Sequence, residues 1–268
     1  MDTTKGDKNK KIKDIFLKKI LEISDLIEKT NVEYYPFPYI MVESDFSNIK
    51  FEDLEKLSNN YSKDNGRENF RINFDWEGEH FSKLETLIKK KFNIKEPIPK
   101  FDDENKIYIH KAVSANLWAD DSTLDISDIH LDYLIRDSDR DGYVQCETDD
   151  TNQTVFSMHI YLPDDNEHMD LGTSIYSFLG NVHEDDFNYL FIKPDYPILI
   201  NTLVGHDEVL IQKYFKKEKT IPFKKGIVYI HPTTKDSWHS APKVPIGYIR
   251  KSFMVRWSWT QYEKSLLD

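Results

Sequence analysis

His130, Leu131 and Asp132 form a His-x-Asp triplet, and 107 positions beyond Asp132 stands His239, preceded by Trp238. On a strand, side chains two residues apart point to the same face, so His130 and Asp132 could bind one ion together. A third ligand, His239, arriving from a distant strand would complete a set of two imidazoles and one carboxylate. Such a set holds a metal from one side and leaves three adjacent positions open for other ligands. Alone, the triplet is a common surface pattern, so its weight depends on the residues around His239.

Downstream of His239 runs Gly247-Tyr248-Ile249-Arg250-Lys251-Ser252-Phe253-Met254-Val255-Arg256-Trp257. Strand alternation puts residues 250, 252, 254 and 256 on one face. A guanidinium is costly to bury unless paired. Its planar fork suits a carboxylate, which it grips with two parallel hydrogen bonds. Ser252 can add a hydroxyl donor on the same face. Arg256 shares that face and competes with Arg250 for the role.

Together, His130-x-Asp132, His239 and Arg250 with Ser252 resemble the Fe(II)/2-oxoglutarate-dependent dioxygenase superfamily. Pro36-Phe37-Pro38-Tyr39-Ile40, Met158-His159-Ile160-Tyr161-Leu162-Pro163 and Lys225-Gly226-Ile227-Val228-Tyr229-Ile230 look like its prolyl-hydroxylase-like branch. The resemblance spans residues 36–259. It implies a mainly β fold, a double-stranded β-helix (jelly-roll) with an N-terminal helical layer. It implies His130, Asp132 and His239 as iron ligands. Arg250, assisted by Ser252, would hold the 5-carboxylate of 2-oxoglutarate, and Tyr161 would be a further cosubstrate contact.

The implied reaction uses Fe(II), 2-oxoglutarate and O2, with ascorbate as reductant. It hydroxylates an unactivated C–H bond of a small molecule, such as an amino acid or a biosynthetic intermediate, and releases succinate and CO2. One alternative is the same chemistry on a protein or peptide residue. Another is a non-catalytic jelly-roll that binds a metal or a small acid, which the intact triad and Arg250 disfavour. Halogenating relatives carry a small residue where Asp132 stands, so its presence points to hydroxylation rather than chlorination. The Arg250-x5-Arg256 spacing also resembles the nucleic-acid dealkylating branch.

Other signals are weaker. Asp137-Ser138-Asp139-Arg140-Asp141-Gly142 begins like a calcium loop, but the twelfth place holds Thr148 and the acid, Glu147, is eleventh. A solvated acidic loop is the plainer reading. His159 lies two residues from Tyr161 and either lines the same pocket or sits in the core. His231 alternates with Tyr229 near a strand end and reads as structural; Trp238 reads as packing. Cys146 stands among acids that disfavour a thiolate and is not a nucleophile candidate.

The elements that must position these residues fall into two regions. Residues 1–11 are polar and lysine-rich and read as a flexible tail. Ile12, Phe16, Ile20, Ile23 and Ile27 then recur at helical spacing. Asp14, Glu22, Asp25 and Glu28 break up the positive charge, which favours a helix packed on a sheet over one lying on a membrane. Helical patterns return at Phe51–Leu57 and Phe81–Phe92. Beyond Pro97 the pattern is β-like: 107–118, 155–162, 172–179, 189–192, 198–203, 227–230 and 248–259, separated by turn-rich stretches. Helices first and strands later, without βα alternation, argue for one domain over residues 12–268, with helical support at 12–96 and a strand core at 97–260. The run 205–222, with its lysines, reads as a charged, solvated insertion.

The 268 residues carry 36 bases and 47 acids, a net charge of −11, which weighs against a nucleic-acid partner. The charge is uneven. Residues 120–192 hold 18 acids and 2 bases, whereas 211–256 hold 11 bases and 2 acids. Anionic ligands would find their attraction on the second half, which contains His239 and Arg250. A single cysteine excludes an internal disulfide and suits a reducing, cytoplasmic setting. The sequence contains no apolar run of membrane-spanning length.

Overall fold

The computed structural model describes residues 3–64, 67–72, 79–94, 106–118, 129–136, 153–183, 186, 199–202, 208–234, 236–242 and 244–262. The candidate calcium loop, Cys146, His206 and the expected strand at 189–192 lie outside them. For β3, β4, β5, β8 and most of β2, named below, it gives backbone and register only.

Four helices and twelve strands are present among these residues. The helices are α1 (Thr3–Lys29), α2 (Phe51–Glu55), α3 (Glu79–Phe92) and α4 (Glu208–Tyr214). The strands are β1 (Ile40–Glu43), β2 (Ser58–Asp64), β3 (Arg67–Ile72), β4 (Lys106–Trp118), β5 (His130–Arg136), β6 (Gln153–Tyr161), β7 (Ser174–Phe178), β8 (Leu199–Thr202), β9 (Phe215–Thr220), β10 (Ile227–Pro232), β11 (His239–Ser240) and β12 (Arg250–Tyr262). A 3₁₀ turn, Met169–Leu171, precedes β7.

The strands form two antiparallel sheets. The larger has the order β1-β10-β6-β12-β4-β3-β2, and the smaller β8-β5-β11-β7-β9. Long crossovers bring distant segments side by side: β12 lies between β4 and β6.

Strand alternation divides the large sheet's two faces. Met158 and Ile160 of β6, Val228 and Ile230 of β10, and Phe253, Val255 and Trp257 of β12 point one way. They meet Phe16, Ile20, Ile23 and Ile27 of α1 and Phe81, Leu84 and Ile88 of α3 in one core. Phe16 packs on Phe253 with ring centroids 4.6 Å apart, and Trp257 stacks on Phe156 at 4.5 Å. Each such buried side chain contributes roughly 1.5–3 kcal/mol of burial energy. The residues between them, Tyr161 and Tyr229, point the other way and join Ile175 of the small sheet in a second cluster. The central strands are therefore covered on both faces, which is why β10 is buried along its whole length.

Three differences from the sequence reading have physical reasons. Helix α1 begins at Thr3, not Ile12. Residues 3–11 lack an apolar stripe, but their lysines are good helix formers. The hairpin β2–β3 extends the large sheet through polar residues such as Ser58-Asn59-Asn60-Tyr61-Ser62-Lys63, whose composition gives no alternation to read. The supposed insertion 205–222 contains α4 and β9, and β9 pairs with β7. Its exposed Lys216, Lys217 and Lys219 lie along an outer strand of the small sheet, where lysines discourage strand-to-strand aggregation.

Candidate active site

Strand register pairs His239 with His130, and Arg250, Ser252 and Tyr161 lie near one another on the large sheet. His239 opens β11, and its Cα partner across the ladder with β5 is His130. On its other side His239 pairs with Ile175 of β7. Directly opposed residues in an antiparallel pair share a face. Asp132 is two residues along β5 from His130. The side chains of His130, Asp132 and Arg256 are outside the described set. Among the residues whose side chains are described, no three His, Cys, Asp or Glu side chains gather as a metal site.

His239 is only 5% exposed. Its Nδ1 lies 2.8 Å from the Ser237 carbonyl oxygen. A carbonyl can only accept, so Nδ1 carries the proton and Nε2 has the lone pair. Metal-binding histidines are commonly oriented by such a bond from the ring nitrogen that does not ligate. Thr234 and Ser237 stabilise this turn: Ser237 Oγ donates to Thr234 O at 2.8 Å and accepts from Thr234 N–H at 3.0 Å.

Behind His239 lies a layer of rings. His231 meets it edge-on with centroids 4.9 Å apart. His231 in turn stacks with Tyr229 at 5.2 Å and lies parallel to His159 at 6.1 Å, with 9° between planes. Strand register explains the layer. Tyr229 is opposite His159 across β10 and β6, and His159 is opposite Met254 across β6 and β12. The sequence reading treated His231 as structural, yet its ring packs against the candidate ligand. Its period-2 spacing from Tyr229 was the available signal.

Arg250, 3% exposed, begins β12. Its Nε–H donates to Leu171 O at 2.7 Å. The guanidinium carbon sits 5.4 Å from the Tyr161 ring centroid and 5.3 Å from that of Phe223. The bond at Nε and the two neighbouring rings, whose own centroids are 5.3 Å apart, orient the fork. Burial pulls the Arg250 pKa down, and the Tyr161 and Tyr248 phenols act in the opposite sense. Ser252 is buried and paired in register with Tyr161.

Tyr161 is fully buried, and Thr173 holds its hydroxyl twice. Thr173 N–H donates to it at 2.9 Å, and Thr173 Oγ1 lies 2.6 Å away. Neither Leu171 nor Thr173 was legible beforehand, because the first acts through its backbone and the second lies in a turn. Gly172, between them, is wedged: a Cβ there would stand 1.6 Å from Ile221 O. Gly226, in the turn just before β10 with φ +87°, donates its N–H to Tyr161 O, and a Cβ would stand 2.0 Å from Ser44 O.

Arg250 and Arg256 do not occupy equivalent positions. Six residues of strand separate them, roughly 20 Å. Arg250 is opposite Trp118, whereas Arg256 is opposite Ser157 and Ala112. A single carboxylate can be held by one of them only.

No family model matches the sequence, and no curated protein sequence matches it. Solved structures do show likeness. The matched structures include prolyl hydroxylases. A Pseudomonas putida prolyl-4-hydroxylase is 11% identical, with 89% of this chain and 98% of that one covered and a TM-score of 0.37. A Trichoplax adhaerens prolyl hydroxylase, solved with a hypoxia inducible factor peptide fragment, is 12% identical over 90% and 91% of the two chains, with a TM-score of 0.39. The viral collagen prolyl hydroxylase of Paramecium Bursaria Chlorella virus-1 is 14% identical over 85% and 96%, with a TM-score of 0.36. The functional reading of this chain rests on its own residues.

Proposed function

We propose that the chain is an Fe(II)- and 2-oxoglutarate-dependent oxygenase with a jelly-roll fold, hydroxylating an unactivated C–H bond of a small molecule. The observation that carries the reading is the register pairing of His239 with His130, two residues from Asp132. Those residue types fit a metal. His239 adds a second sign of fit, since Ser237 fixes the tautomer that presents Nε2. Arg250 fits the far end of a dicarboxylate: it is a buried, oriented cation whose terminal nitrogens extend beyond the bond at Nε.

In this reading His130, Asp132 and His239 hold the iron, and Arg250 with Ser252 holds the 5-carboxylate of 2-oxoglutarate. When bound, the iron and 2-oxoglutarate supply with O2 an oxidant strong enough for aliphatic C–H bonds, with succinate and CO2 as coproducts. The chain's own part is placement and exclusion of water. Leu171 O and the Tyr161 and Phe223 rings orient the Arg250 fork. Tyr229 and Phe223 line the same cluster and keep it apolar. A low-dielectric site strengthens the grip of the guanidinium on a carboxylate.

The test is succinate production by purified protein with Fe(II), ascorbate and 2-oxoglutarate, screened across a metabolite library with a peptide set beside it. A stimulated burst with one small molecule, lost in His130→Ala and Asp132→Ala, is the expected result. Succinate formation unchanged in both variants would remove the site assignment.

A further inference from the structure

Among the described residues, the Tyr248 hydroxyl is buried and has no hydrogen-bond partner. Leaving a buried hydroxyl without a partner costs the free energy of its lost solvation, so such a group calls for an explanation. Its surroundings show where it sits. The ring packs against the cluster of Tyr161, Leu171, Phe223 and Tyr229. It meets the His168 ring at 4.4 Å and the Phe223 ring at 6.5 Å, both edge-on. Phe223 is also the ring on which the Arg250 guanidinium lies. A turn from Pro245 to Tyr248, closed by Tyr248 N–H to Pro245 O at 3.1 Å, delivers the ring two residues ahead of Arg250. An orphaned O–H therefore shares a wall with the buried guanidinium.

We propose that Tyr248 is a ligand-binding residue whose hydroxyl donates to the same distal carboxylate that Arg250 grips. The inference rests on the cosubstrate reading above. It gives the orphaned donor an acceptor and the carboxylate a neutral hydrogen bond beside the ion pair. The phenol is protonated at neutral pH and so able to donate; burial first, then Asp165 and Asp164, push its pKa further up.

The test measures binding and stability separately. Binding of 2-oxoglutarate, with Mn(II) in place of iron and oxygen excluded, is measured calorimetrically for the unaltered chain, Tyr248→Phe and Arg250→Met. Melting is followed without ligand. Tyr248→Phe is expected to raise the Kd for 2-oxoglutarate about tenfold, as for loss of one hydrogen bond to a charged group. Its ligand-free melting temperature is expected to hold or rise, because an unsatisfied hydroxyl has been removed. A Kd within twofold of the unaltered chain, while Arg250→Met loses binding, would overturn the role of Tyr248 alone. A fall in ligand-free melting temperature would overturn it too, since the hydroxyl would then serve the fold. If Arg250→Met binds as before, the cosubstrate reading fails first, and this inference with it.

Discussion

Arg250 is tied to Leu171, 79 residues earlier in the chain, by a 2.7 Å bond from its Nε–H to the Leu171 carbonyl oxygen. That bond occupies the inner edge of the guanidinium and orients the rest. Arg250→Met keeps the volume and removes the charge. A buried cation is costly, and an apolar replacement of similar shape is often neutral or stabilising. Arg250→Met is therefore expected to melt no lower than the unaltered chain while its Kd for 2-oxoglutarate rises at least a hundredfold. Arg256→Ala should leave that Kd within a few fold, by the same calorimetry. The reverse ranking would move the role to the other end of the strand.

His239 is expected to matter through its metal. In His239→Ala and in Asp132→Ala, Mn(II) or Fe(II) affinity should fall by more than a hundredfold, while circular dichroism remains native. Removing the Ser237 side chain should do less, since the bond to His239 uses the Ser237 backbone. Ser237→Ala losing metal as completely as His239→Ala would contradict this geometry.

Gly172→Ala should be severely destabilising. Its Cβ would meet backbone, Ile221 O at 1.6 Å, and backbone cannot swing away. A cost of about 3 kcal/mol or more follows, which lowers the melting temperature by roughly 6–12 °C. Gly226→Ala combines φ +87° with an approach of 2.0 Å to Ser44 O and should rank with it. A melting temperature within 2 °C of the unaltered chain for Gly172→Ala, on a scale of about 2–4 °C per kcal/mol, would show that the Leu171–Thr173 segment is less constrained than drawn.

Tyr248 also makes a prediction about alkaline pH. Burial first, then Asp165 and Asp164, push its phenol up to about 12 from an ordinary value of 10.0. The folded state therefore holds this proton more tightly than the unfolded one. Below pH 10 the phenol is protonated in both states and stability does not depend on it; as pH rises from 10 towards 12 the unfolded state ionises first and stability is lost. Tyrosinate absorbance of the folded protein should show one phenol fewer ionising above pH 11 in Tyr248→Phe than in the unaltered chain. An equal loss of the ordinary component near pH 10 would contradict the burial.

The parts of the fold that were legible are those where burial imposes a period. Strands β6, β10 and β12 alternate between two covered faces, and α1 and α3 repeat their apolar positions every three or four residues. For the candidate site the sequence offers the positions where chemistry demands a residue type: His130, Asp132, His239 and Arg250. What escaped acts through backbone or through its neighbours. Leu171 contributes a carbonyl, Thr173 a bond to a buried phenol, and His231 a ring edge. Strand β9 escaped because an edge strand needs no apolar alternation. Lys251 looks like an ordinary surface lysine, yet its Nζ donates to Glu52 Oε1 at 2.8 Å and Asp164 Oδ2 at 2.7 Å, joining α2 to the loop after β6.

The two faces of the large sheet place a limit on how the gene can change length. Phe253, Val255 and Trp257 support the helices, while Arg250, Ser252 and Met254 lie on the site's side of the same strand. One codon inserted or deleted between Arg250 and Trp257 would put the residues on either side of the change out of phase, so Arg250 and the helix-facing side chains beyond the change could not both keep their faces. Such a change sacrifices one face or the other, the helical core or the site, unless a bulge like the one between Trp257 and Ser258 absorbs it. Divergence of substrate range is left to the turns, where added residues shift no register.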